Sequence, residues 1–283
     1  MPVSLSGAQR ASRRLRHLGL IALVVNLVLV GLAAQPGVVR AAAPKVVLIV
    51  GPVESQTSAY IDAANRLASR AAKYGATVVK IYSPYATWGT VLNKAQGANL
   101  LIYLGHGNGW PSPYAPYQPY TKDGLGLNAS WGDGNSNTKY WGEYYVARDL
   151  HLAPNAVVLL HRLCYASGNS EWGSAAPTKS VGMERVDNFG AGFLRTGARA
   201  VFAEGITDMA PLIDGLFTTK SYMKDIFLSS PSAHPESTNI WFGSERTPGK
   251  RAVMDPDYSK PGKYYRSLVG DTLMRASEWR AGG

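Results

Sequence analysis

The only cysteine of the chain, Cys164, closes an apolar run, AVVLLHRLC (156–164), and Tyr165, Ala166, Ser167 and Gly168 form the turn beyond it. A second run, NLLIYLGHG (99–107), ends on His106 between Gly105 and Gly107. A thiol beside an imidazole is a nucleophile with its own base. The imidazole accepts the thiol proton as sulfur attacks a carbonyl, then returns it to the leaving amine. The main-chain amides at Gly107 and Cys164 are the candidate donors to the oxyanion formed in that attack. The glycines beside His106 permit a tight turn and close backbone approach.

Other constellations are weaker. His161 lies three residues before Cys164 in the same predicted strand, so alternation sends it to the opposite face, as a structural residue. His17 falls in an N-terminal leader, and no pattern connects His151 or His234 with the two strand ends. There is no Gly-x-Ser-x-Gly elbow, no His-Glu-x-x-His pair and no glycine-rich nucleotide fingerprint after the first strand. A lone cysteine forms no internal disulfide, which leaves packing, pairing with another chain, or nucleophilic chemistry.

The elements that must position the pair follow from hydrophobic periodicity. Continuous apolar runs predict buried strands over 45–50, 77–82, 99–104, 156–163 and 200–203. Helical spacing predicts helices over 58–74, 87–96, 141–150, 179–197 and 208–227, with a last one expected within 264–279. This alternation is that of a mostly parallel sheet covered by helices, in which sites form at the carboxyl ends of strands. Both His106 and Cys164 fall at such ends.

Between 108 and 145 the composition changes to nine tyrosines and tryptophans among prolines, glycines and asparagines. Nine rings argue against disorder. The stretch reads either as a groove wall for an extended peptide or glycan, or as a long loop pinned by its rings. Within it Asp133, Asn135 and Asn137 alternate like the opening of a calcium loop, but Thr138 replaces the required glycine and Tyr144 the closing acid, so calcium is weakly supported.

Four arginines (10, 13, 14 and 16) precede an apolar run over 18–34, and small residues follow to Ala43. That order predicts a secretory signal over 1–43, with an uncleaved membrane anchor as the alternative, and hence a secreted or cell-envelope protein. The segment holds five arginines and no acid, so its removal takes the formal charge from +10 to +5. No clustered basic face remains to argue for nucleic acid. Residues 44–228 are read as the catalytic domain and 229–283 as a basic, proline-containing extension packed on it.

The blocks LIYLGHG and VVLLHRLC, in that order and at strand ends, resemble the caspase-like superfamily of cysteine peptidases, which includes gingipain, clostripain, legumain, separase and the bacterial CHAT domains. The resemblance spans about 45–227 and implies a caspase-like three-layer α/β fold, a His106–Cys164 dyad needing no cofactor, and a protein or peptide substrate cut after a selected side chain. Many relatives carry a small polar residue and alanine before the cysteine; here Arg162 and Leu163 stand there. Relatives that prefer a basic side chain place a carboxylate in the specificity pocket, and Asp133, Glu143, Glu171 and Glu204 are its candidate suppliers. Glu204, directly after the fifth strand, is placed to face the cleft. The alternatives are a catalytically silent member of the fold that binds peptides or an envelope polymer, and an amidase or transpeptidase acting on cell-wall peptides.

Overall fold

The computed structural model describes residues 42–257 and 263–282, so the expected signal lies almost wholly outside the described residues. In chain order the strands are β1 Lys45–Val50, β2 Thr77–Tyr82, β3 Leu100–Leu104, β4 Leu125–Asn128, β5 Thr138–Trp141, β6 Ala156–His161, β7 Ala198–Glu204, β8 Ile240–Gly243, β9 Arg251–Pro256 and β10 Tyr264–Gly270. The helices are α1 Thr57–Lys73, α2 Trp88–Ala95, α3 Glu143–Asp149, α4 Lys179–Leu194, α5 Ala210–Thr218, α6 Met223–Leu228 and α7 Ala276–Ala281. Among the described residues no helix is long and apolar enough to cross a membrane.

Eight strands form one sheet in the order β2-β1-β3-β6-β7-β10-β9-β8. The first five are parallel and the last three antiparallel. The continuous apolar runs are explained by burial on both faces. Val47, Ile49, Leu101, Tyr103, Val158 and Leu160 enter one core with α2, α3 and α4, while Val46, Leu48, Leu100, Ile102, Val157 and Leu159 enter the other with α1, α5, α6 and α7. The result is a three-layer α/β arrangement with a mostly parallel sheet.

Three elements depart from the periodicity. The helix expected over 208–227 is two helices, because Tyr222 forms a bridge with Arg275 and draws the chain between α5 and α6 into an extended conformation. The helix expected within 264–279 begins as β10, a strand buried between β7 and β9, and only its last turns form α7. A short apolar run such as YYRSLVG does not distinguish strand from helix until its neighbours are known. The 229–283 stretch is therefore not an extension packed on the outside: β8, β9 and β10 complete the sheet itself. The aromatic stretch is likewise structured, with β4 and β5 forming a hairpin that leads into α3.

At the centre of the antiparallel half, the buried Arg266 guanidinium binds Glu204 at 2.9 Å and Asp255 at 2.8 Å, and its third edge donates to the Phe227 carbonyl at 2.5 Å. Burial lifts the Glu204 carboxyl to about 7 against the pull of Arg266. One cation joins strands β7, β9 and β10 to the end of α6. Arg266→Ala removes the shared cation from two buried carboxylates, leaving Glu204 with the Thr207 hydroxyl and Asp255 with His234, and is expected to cost about 3–5 kcal/mol. Urea unfolding at pH 7 measures this, and the deficit is expected to shrink toward pH 5 as the Glu204 carboxyl protonates.

Candidate active site

The strand ends Val50, Leu104, His161 and Glu204 stand side by side across β1, β3, β6 and β7. The chain leaves β1 for β2 on one side and returns as β3 on the other, so the β1/β3 crevice is a topological switch point, where open α/β sheets bind ligands. Gly51 and His106 follow the two strands that border this crevice, and Cys164 follows β6, the neighbour of β3 on its other side.

β6 ends three residues earlier than its hydrophobic run. Arg162 takes a left-handed conformation (φ 59°) and donates its N–H to the Glu204 carbonyl at 2.9 Å, which turns the chain out of the sheet. Its guanidinium lies 5.4 Å from the centre of the Tyr60 ring, and Leu163 is buried in the core. Cys164 therefore sits in the turn beyond the strand, half-buried against the α2–α4 core. His161 is buried with Nδ1 3.2 Å from the Glu204 carbonyl, and burial, with Arg162 beside it, lowers it to about 4. It is a neutral structural histidine.

The two turns meet backbone to backbone. A Cβ on Gly107 would stand 2.2 Å from the Cys164 carbonyl oxygen and 3.0 Å from its nitrogen, so only glycine fits. Among the described residues, the main-chain N–H of Gly107 and that of Cys164 donate to no other residue's carbonyl, and the Cys164 N–H is directed at its own sulfur. The main chains of the two turns thus approach each other at Cys164. The His106 turn is supported from below by the Tyr103 hydroxyl, which lies 3.0 Å from the His106 carbonyl and 2.7 Å from that of Gly126 on the hairpin.

A residue absent from the sequence reading completes the arrangement. Glu54 Oε2 lies 3.1 Å from His106 Nε2. Glu54 opens a single 3-10 turn before α1, in a left-handed conformation (φ 42°), with its N–H donated to the Asn135 carbonyl at 2.8 Å. It follows the end of β1 by four residues, so the carboxyl-end rule applied to β1 as well as to β3 and β6 points to it. Tyr140 was also not singled out. Burial, then the nearby Cys164, Glu54 and Glu171, push its hydroxyl up to about 12, which locates it among all three.

No hydrogen bond joins the Cys164 thiol to His106 in this structure. Burial pushes the thiol above its ordinary value and Glu171 pushes the same way, while the Trp172 N–H opposes them. These surroundings favour the protonated thiol.

The four candidate pocket carboxylates separate sharply. Glu204 does not face the cleft, because it is buried on Arg266 and Thr207. Glu143 is also buried, bound by Arg246 at 2.7 and 2.9 Å and by the Tyr117 hydroxyl. Both are structural, their charges consumed by partners. Asp133 is exposed and accepts the Asn137 amide, while Asn135 accepts the Ser83 hydroxyl at 2.8 Å. The side chains of the calcium-like loop therefore bind one another and Ser83, and among the described residues no group of three or more His, Cys, Asp or Glu could hold a metal ion. Glu171 alone combines partial exposure with electrostatic contact to the thiol; it accepts the Tyr114 hydroxyl at 3.0 Å.

No protein-family profile and no curated protein matches this sequence.

Two outcomes follow from the electrostatics. Iodoacetamide alkylation of Cys164 is expected to rise with a midpoint above the roughly 8.5 of a free thiol, and Glu171→Gln to move that midpoint down. Asp123 anchors the chain after His106 by accepting the Trp110 N–H at 3.0 Å, and burial lifts its carboxyl to about 7. Between its unfolded value near 3.9 and about 7 the folded state holds the extra proton. Stability is therefore expected to fall as pH rises through that window, with Glu204 adding to the slope and Asp123→Asn reducing it in thermal melts run from pH 4 to 8.

Proposed function

We propose that this chain is an exported cysteine endopeptidase of caspase-like type, with Cys164 as nucleophile and His106 as base. The observation that supports the reading is the main-chain approach of Gly107 to Cys164, between the turn that bears the thiol and the turn that bears a histidine paired with Glu54. The export part of the reading rests on the arginines at 10–16 ahead of the apolar run over 18–34.

In this scheme a peptide carbonyl enters the β1/β3 crevice and His106 takes the Cys164 proton as Sγ attacks the carbonyl carbon. The oxyanion accepts hydrogen bonds from the N–H groups of Gly107 and Cys164. Glu54 holds the imidazole in place and stabilises its charged form. Collapse of the intermediate breaks the C–N bond, the leaving amine takes the proton from His106, and a thioester remains. Water then attacks the thioester, giving its proton to His106, and Sγ departs as the acid is released and is reprotonated by His106. Glu171, the one candidate carboxylate left open beside the thiol, is the proposed specificity group.

The raised thiol and its lack of a bond to His106 favour a second reading, a silent member of the fold that binds peptides without cutting them. One assay separates the two. Digestion of a peptide library followed by mass spectrometry is expected to show cleavage by the wild type, none by Cys164→Ala, and a loss of about 10²–10⁴ in kcat/KM for His106→Ala. Glu54→Gln is expected to fall between wild type and His106→Ala, and Gly107→Ala to lose activity with the thiol intact. Turnover that persists in Cys164→Ala would defeat the peptidase reading, and binding without cleavage by the wild type would establish the second.

A further inference from the structure

Beside the crevice the molecule displays two aromatic rings that its own core does not use. Trp131 is 65% exposed and Tyr85 48% exposed, with ring centres 4.7 Å apart and planes inclined by 40°. Single exposed hydrophobic side chains are ordinary, but an adjacent exposed pair on a fixed frame is not. The frame is made by hydrogen bonds between the 83–86 turn and the 128–135 loop. Gly132 N–H donates to the Pro84 carbonyl at 2.9 Å, Asn128 N–H to the Ala86 carbonyl at 2.9 Å, and Ala86 N–H to the Asn128 side chain at 3.2 Å. The Asn128 amide continues to the Gly134 carbonyl at 2.8 Å, and the Ser83 hydroxyl to Asn135 at 2.8 Å. None of these bonds requires aromatic side chains at 85 and 131.

We infer that Tyr85 and Trp131 form a binding platform for a neutral pyranose chain, separate from the thiol site. A sugar ring presents a flat face of C–H groups that packs on an open aromatic face, whereas an apolar peptide side chain is better held by an enclosed pocket. The surroundings are suited to hydroxyls. Residues 129–138 (ASWGDGNSNT) contain one charged group, Asp133, and its carboxylate already accepts the Asn137 amide. The loop carries exposed Ser130, Ser136 and Asn137 and no cation, which disfavours an anionic polymer. It is continuous with the thiol site through Asn135, whose carbonyl accepts the Glu54 N–H. A bound glycan would hold the crevice close to the polymer that carries it.

Isothermal titration of the full chain with β-1,4-linked N-acetylglucosamine hexamer and with maltohexaose tests this, and because the dyad cleaves neither, the result is independent of peptidase activity. Saturable binding to at least one is expected, weakened about tenfold or more by Trp131→Ala and by Tyr85→Ala and less by Trp131→Phe, with unchanged thermal transitions as the folding control. Absence of heat at millimolar saccharide would overturn the inference. So would binding that survives both alanine variants, or variants that weaken only the capture of peptides.

Discussion

The candidate site depends on one contact between main chains. β3 and β6 are neighbours in a parallel sheet, so their last residues, Leu104 and His161, lie in register and the turns that follow emerge side by side. Whether those turns touch is then decided by Gly107, whose missing Cβ lets the Cys164 carbonyl and nitrogen come within a distance no side chain permits. Neither residue's N–H is taken by another residue's carbonyl, and that of Cys164 is directed at its own sulfur. A parallel ladder alone would bring the two turns near; the glycine lets their main chains touch.

The surroundings of the thiol are apolar and aromatic more than charged. Tyr60, Tyr103, Tyr114, Tyr140 and Tyr165 all feel Cys164 electrostatically, and Glu171 adds a like charge. Such surroundings favour the protonated thiol. Glu54 meets the His106 ring from a third strand end, and the loop that contributes the Asn135 carbonyl to Glu54 is the same loop that displays Trp131.

The antiparallel half supports the Cys164 turn from outside the crevice. Ser167 donates to the Tyr264 carbonyl at 2.7 Å, Ser267 to the Ala166 carbonyl at 3.2 Å, and Gly205 to the Tyr265 carbonyl at 2.7 Å. These bonds run from the residues after Cys164 and after β7 to β10, the strand fixed by Arg266. The buried ion pairs of Arg266 with Glu204 and Asp255 are thus connected with the site through the sheet, although none of the three faces it. Removing a carboxylate here is expected to disturb the fold, not the specificity.

Local chemistry was sufficient for the parallel half. Runs such as VVLIV and LLIYL are apolar at every position, as strands buried on both faces are, and the ends of such runs put His106 and Cys164 at one edge of the sheet. The sequence could not decide which carboxylate is free, because Glu143, Glu171 and Glu204 differ only in their partners: Arg246 and Tyr117 for the first, Arg266 and Thr207 for the third. Those partners lie 26 to 103 residues away for Glu143 and up to 62 for Glu204. The same limit hid β10 and Glu54. A seven-residue run becomes a strand because β7 and β9 flank it, and an exposed glutamate becomes a histidine's partner because β1 and β3 pair, so hydrophobic pattern set the layers and long-range pairing alone set the charges.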